Sequence, residues 1–412
     1  MRKMIVNTKW INQIPLILVY VFYPIINISS RLAGYDLPNN WIDGAWGLLF
    51  LLIVLLIFVG KRKRFTFKWF VFVITYVIFI WVCLRLLVNL INNQIEITPL
   101  LMELKPFFYL IFAWLWIKKW GIPNEDSFIR GGAWLGTTLM ADFAIESSLA
   151  GQMVRIRGSG EINYDAALLV LSICFLIANK KLIQKKHILE TVLIFLGLFA
   201  SLSRTGLITA VLLLVIFGQL NFFIKVSIVS AAFFTVLESF WVRNLSFTLE
   251  TIDRYWMWNT GITLFINHPI EFLFGFGVQP LPVIIPPQLA YLWLNIQQAG
   301  WGLSGIYAYS FHAFWLRFIT SWGIVTTIPL FYFLGSLLFK QRSPILLRIL
   351  SLLFIMEGFT MGVIYLSNVG IPLIIAILTG LMSSNSKILV RPVNDNVRLR
   401  LKPKYQTTKG TK

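Results

Sequence analysis

The chain has 412 residues, is 58% hydrophobic and only 13% charged, and has a mean hydropathy of +0.77. Water-soluble domains are about one quarter charged, so this composition excludes an ordinary globular enzyme and points to an integral membrane protein. A formal net charge of +19 on such a chain is first a topology signal, because basic residues collect in cytoplasmic loops; it is no argument for a nucleic-acid partner.

The opening MRKMIVNTKW has the basic start of a signal peptide, but no small-residue cleavage site follows, which predicts a retained first helix. Apolar stretches able to cross the hydrocarbon layer then recur at 11–28, 44–60, 68–91, 100–117, 131–149, 164–179, 188–201, 205–219, 225–240, 312–338, 345–365 and 369–384. They predict an all-α polytopic membrane protein of about twelve transmembrane helices, with one long extracytoplasmic loop, 241–311, between the ninth and the tenth. Residues 1–385 would form one transmembrane domain. Residues 386–412 would form a basic cytoplasmic tail, disordered and touching anionic lipid. The seventh and eighth spans are short because Arg204 divides one apolar run, GLFASLSRTGLITAVL. Cys83 and Cys174 both lie inside apolar runs, so neither a disulfide nor metal-ligand spacing can be built from them.

The links KRKRFTFK (61–68), KKWGIPNEDSFIR (118–130), NKKLIQKK (179–186) and KQRSPILLR (340–348) are basic, as are both termini, and the positive-inside rule puts them in the cytoplasm. Against that trend, Arg31, Arg85, Lys105, Arg155, Arg157, Arg204, Arg243, Arg254 and Arg317 fall in external loops or outer halves of helices. A cation at the edge of hydrocarbon costs on the order of a few kcal/mol unless it is paired, hydrated or able to snorkel. Nearby acids offer part of the pairing. Glu103 is near Lys105, Glu161 near Arg157 and Asp253 beside Arg254, while Asp142 and Glu146 stack one turn apart on the fifth helix. For that last pair, partnership with Arg85 or Lys105 is expected ahead of a proton relay. Too few carboxylates remain to neutralise the rest, which predicts a phosphate-bearing lipid at the outer leaflet as partner, held by the bidentate fork of arginine.

Within the long loop, TLETIDRYWMWNTGITLFINHP spaces Tyr255, Trp258, Ile262 and Phe265 for a helix lying against the membrane. Trp241, Trp256, Trp258, Trp293 and Trp301 suit an interfacial setting. His268, in Asn267-His268-Pro269, reads as a turn residue, and the glycines and prolines of FLFGFGVQPLPVIIPPQ predict an irregular loop in which GFG serves tight backbone packing. The stretch AYSFHAFWLRFITSWGI then enters the tenth helix, with His312 at its outer mouth and Arg317 between one and two turns inside.

Taken in order, Arg204 in SLSRTG, Arg254 in IDRYWMWNTGITLF, then NHPIEFLFGFGV and FHAFWLRFITSWGI resemble the O-antigen ligase and O-antigen polymerase superfamily. The similarity is sharpest over 150–335, and RIRGSGEINYDAALLVLS also resembles the family's external arginine-rich turn before the sixth helix. Ala313 stands where members commonly have asparagine, and Trp322 where an acidic residue often precedes the glycine. The resemblance implies a metal-independent glycosyltransferase with no cofactor, in the cytoplasmic (inner) membrane of a bacterium. Its donor would be a polyprenyl-diphosphate-linked glycan, its termini cytoplasmic and its active site extracytoplasmic. Arg204 and Arg254 would stabilise the leaving diphosphate, and neutral His312 would accept the proton of the incoming sugar hydroxyl. Arg155, Arg157, Arg317, Lys105 and Arg85 would be supporting contacts to phosphate or glycan. Membrane lipids, a glycan flippase and a chain-length regulator are the expected partners.

Three functions stay open on these residues. The preferred one is a polysaccharide polymerase that transfers a chain from one lipid diphosphate to a lipid-linked repeat unit, since the departures at Ala313 and Trp322 mark a divergent member. The second is a ligase that moves the finished glycan to a lipid or protein acceptor. The third, a transporter or lipid-linked oligosaccharide flippase, is favoured only by the helix count and the Asp142/Glu146 pair. No nucleotide-sugar fingerprint, DxD motif or Walker loop is visible, which fits a lipid-activated donor.

Overall fold

The computed structural model describes residues 10–35, 37, 41–59, 69–91, 96–182, 184–242, 253–298, 305–340 and 343–389. Among these residues every regular element is helical. In chain order they are α1 (Ile11–Leu32), α2 (Trp41–Val59), α3 (Trp69–Ile91), α4 (Ile97–Trp120), α5 (Glu125–Ala150), α6 (Ile162–Ala178), α7 (Ile188–Ala200) and α8 (Arg204–Phe217). There follow α9 (Phe222–Trp241), α10 (Asp253–Asn267), α11 (Pro269–Phe274), α12 (Pro287–Gln298), α13 (Phe314–Trp322), α14 (Ile324–Phe339), α15 (Ile345–Gly358) and α16 (Ser367–Leu389). Helices α1, α4 and α9 are long and apolar enough to cross a membrane; several others are apolar but shorter. Leu48, Leu51 and Leu55 of α2 and Phe222, Phe223, Phe233 and Phe234 of α9 lie exposed, a surface that suits lipid rather than water.

Helix α6 is apolar nearly all round and sits at the centre: every residue from Asp165 to Ile177 is buried. Beside it α5 and α7 cross with their backbones in contact, because a Cβ on Gly197 would come 2.3 Å from the Cα of Gly136.

Two expected helices end early. The stretch 312–338 is not one helix but α13 and α14, broken at Gly323. This glycine has φ +80°, and a Cβ there would meet Leu273 O at 2.3 Å, because the Gly275–Gly277 strap is packed against the break. Phe276 N donates to Thr320 O and Gly277 N to Ser321 O, both at 2.8 Å, so the GFG does serve backbone packing. The stretch 345–365 stops as a helix at Gly358 and continues as an irregular segment with a single 3-10 turn, Val363–Tyr365.

The long loop is largely structured where it is described. On α10, Met257, Gly261 and Leu264 face inward while Tyr255 and Ile262 are exposed. Trp293, expected at an interface, is instead fully buried in a small apolar cluster with Met257, Leu289, Phe311 and Leu316. His268 sits in the turn between α10 and α11. Arg243, Trp301 and the tail from 390 onward lie outside the described residues.

Candidate functional site

The turn that carries Arg204 is built by its neighbours. Leu202 takes a left-handed conformation, φ +49°, to end α7, an arrangement that costs a non-glycine residue on the order of 1–3 kcal/mol and persists only where the surroundings enforce it. Ser203 N donates to Ser201 Oγ at 3.2 Å, and Ser203 Oγ in turn accepts from Gly206 N, capping α8. Gly206 is needed for space, since a Cβ there would stand 2.8 Å from that of Ala166 on α6. Arg204, first residue of α8, places its guanidinium 4.3 Å from the ring centre of Phe240 on α9.

From this turn a polar chain runs to Arg254. Ser203 Oγ donates to Asn163 Oδ1 at 2.9 Å, and Asn163 Nδ2 donates to Glu161 Oε1 at 3.1 Å. Arg254 Nη2 lies 3.5 Å from the same Glu161 oxygen, and Arg254 Nε donates to Thr360 O at 3.0 Å. The irregular segment after α15 is therefore part of the site's frame: Trp258 Nε1 donates to Phe359 O at 3.0 Å and Phe314 N to Met361 O at 2.9 Å. That last bond fixes the start of α13, just after His312.

His312 precedes α13 rather than belonging to it, and its Nε2 is buried with no hydrogen-bond partner among the described residues. Burial pushes its imidazole down to about 4, with Arg254 and Arg317 acting in the same sense and Glu161 and Asp253 opposing them. At neutral pH it is uncharged and able to accept a proton. Burial alone would raise the Glu161 carboxyl, but Arg254 first, then His312 and hydrogen bonds from Tyr164 and Asn163, hold it below the ordinary carboxylate range. The arginine turn and Arg254 thus meet at Glu161, and His312 lies two residues before Phe314, whose N–H is held by the same 359–361 segment that accepts from Arg254.

The segment leading into Glu161 carries Arg155 and Arg157. It is clamped to the bundle: Arg31 Nη1 donates to Gly158 O at 2.8 Å, Asn27 Nδ2 donates to Ser159 O, and Ser159 N donates to Asp165 Oδ2 at 2.7 Å. Arg157 is exposed and Arg155 partly so.

The other expected supporting cations are engaged elsewhere. Arg317 Nε donates to Glu103 Oε1 and its Nη2 to Met102 O, both at 2.8 Å, inside the bundle. Lys105 pairs with Asp43 at 2.7 Å, not with Glu103, because residues two apart on a helix point to different faces. Arg85 donates from Nη2 to Gly275 O and lines a cleft of about 250 Å³ with Trp81, Glu271 and Phe274. Asp142 and Glu146 both pair with Arg31, at 2.5 and 2.8 Å, rather than with Arg85 or Lys105, since α1 ends against α5. Glu161 faces Arg254 in place of Arg157, to which sequence proximity had assigned it.

Among the described residues no three His, Cys, Asp or Glu side chains converge as a metal site needs. Set against protein-family models, curated proteins and solved structures, the chain matches none. Glu161, Asn163 and Thr360 were not singled out in the sequence as parts of this site. Glu161 and Asn163 carried a local signal, a carboxylate and an amide at the mouth of α6; Thr360 acts through its backbone and carried none.

Proposed function

We propose that the chain is a polysaccharide polymerase of the cytoplasmic membrane of a bacterium, spanning it about twelve times with both termini inside. It would transfer a glycan from a polyprenyl-diphosphate donor to a lipid-linked repeat unit at the outer face. The observation that carries this reading is the linkage of Arg254 through Glu161 and Asn163 to the Arg204 turn, and through the 359–361 segment to the start of α13 beside uncharged His312.

The chemistry suits those groups. The acceptor hydroxyl attacks the anomeric carbon, the bond from that carbon to the diphosphate oxygen breaks, and polyprenyl diphosphate leaves with the bonding pair. Arg204 and Arg254 would meet the charge that develops on it, with no reorganisation of solvent. The hydroxyl proton would pass to His312 Nε2. Burial, which lowers His312 to about 4, makes it a weak base, and the negative charge of a bound diphosphate would raise its proton affinity toward the working pH.

Alanine at Arg204, Arg254 or His312, with membrane insertion verified, should abolish long-chain glycan while single lipid-linked repeats accumulate. A normal chain-length distribution in all three variants would overturn the assignment. Incubating purified protein with lipid-diphosphate repeat units alone separates polymerase from ligase: a ladder supports the former, product only after adding a second acceptor the latter.

A further inference from the structure

We infer that Glu161 is the positioning residue of this site, a carboxylate that steadies Arg254 and stands beside His312 when the imidazole takes up the acceptor's proton. The inference rests on the transferase reading for its chemistry; its placement rests on the Arg254–Glu161 pair and on the 359–361 segment, which accepts from Arg254 at Thr360 O and from Phe314 N, two residues after His312, at Met361 O.

Glu161 occupies the position just before α6, where a carboxylate ordinarily turns back to accept from the helix's own N–H groups. Here the side chain makes no capping hydrogen bond. It turns instead to Asn163, Tyr164 and Arg254. Its backbone has little room to adapt, because Ser159, two residues earlier, is bonded by both N and Oγ to the buried Asp165 carboxylate. Through Asn163 and Ser203 the same carboxylate is joined to the turn that begins α8 at Arg204. One side chain therefore links three elements that approach from separate parts of the sequence.

Among the charged groups acting on His312, Glu161 and Asp253 favour its protonated form and Arg254 and Arg317 oppose it. When the acceptor proton reaches Nε2 the ring becomes a cation in a buried place, with two guanidiniums against it. Glu161 offsets that charge. It touches no reacting atom in this scheme and acts only through His312 and Arg254, so its loss should lower the turnover step more than donor affinity.

The test reads the His312 protonation midpoint directly, by [15N]histidine NMR of the full chain in lipid nanodiscs, with His312→Gln assigning the signal. In Glu161→Gln the midpoint should fall by about one pH unit. Should that variant not fold, Asn163→Ala, which removes the amide that steadies the carboxylate together with its bond to Ser203, should lower the midpoint by less. A midpoint unmoved in whichever of the two folds overturns the inference, since a merely structural Glu161 would leave it in place. In the lipid-diphosphate assay, Glu161→Gln should lower kcat about 10- to 100-fold with donor KM within about threefold, and Glu161→Asp should recover part of kcat. If the wild type forms no glycan, the transferase reading fails while the NMR result still decides the place of Glu161.

Discussion

Arg317 and Glu103 form an ion pair sealed inside the bundle: Nε to Oε1 is 2.8 Å, the two side chains are 9% and 2% exposed, and the guanidinium lies 3.7 Å from the ring centre of Tyr365. Breaking such a pair from one side leaves a buried charge without its counterion, which destabilises by about 3–5 kcal/mol, whereas replacing both partners is far milder. Arg317→Met should therefore lose folded protein, and Arg317→Met with Glu103→Gln should recover most of it. Thermal stability in detergent, read by size-exclusion chromatography, checks this. A double variant no more stable than the single one would sink it.

Arg254 binds two acceptors at once, Thr360 O through Nε and Glu161 through Nη2. Lysine keeps the charge but cannot span both. Arg254→Lys is expected to insert normally and to lower transferase kcat/KM by about 10²- to 10³-fold, the usual loss when one donor to a developing oxyanion is removed. Initial rates on lipid-diphosphate repeats are the measurement.

Acid should act on the site through His312 and Glu161 together. The imidazole refuses a proton in the folded chain down to about pH 4, whereas the unfolded chain takes one up near pH 6.5. The unfolded state therefore gains as pH falls through that window. Glu161, held below its ordinary value, adds stability above the unfolded carboxylate range and loses it as pH drops through its folded value. Melting temperature should fall from pH 6.5 toward pH 4, and less steeply in His312→Gln. Activity should fall on the acid side too, with saturating donor moving that limb upward.

The Gly275–Gly323 crossing predicts a sharp contrast between two glycines. Gly323 has φ +80° and backbone atoms of Leu273, Phe274 and Gly275 within 2.6 Å of where a Cβ would sit, whereas Gly335 on α14 has open space. Gly323→Ala should sharply reduce folded yield. Gly335→Ala should leave it unchanged or slightly raised. Expression in membranes, followed by fluorescence-detected chromatography, distinguishes the two.

Most helices were legible because they are apolar runs whose length and bounds survive in one dimension. The breaks at Gly323 and Gly358 were not legible, since each lies against a distant segment: Leu273 and Gly275 at the first, and the Trp315 indole at the second, 2.6 Å from a Cβ position. Ion pairing was misread for a related reason. Lys105 has Glu103 as a neighbour in sequence but Asp43 as a neighbour in space, because the choice belongs to the faces α2 and α4 present to one another.

Composition and periodicity alone determined that this chain is helical and apolar. Those are properties of single residues and their solvent. Tertiary packing decided which cations keep company with which acids: it withdrew Arg317, Lys105 and Arg31 into pairs between helices, and it brought Glu161 to Arg254. Charge interaction falls off steeply with distance and with the dielectric around it, and both are set only when the helices meet.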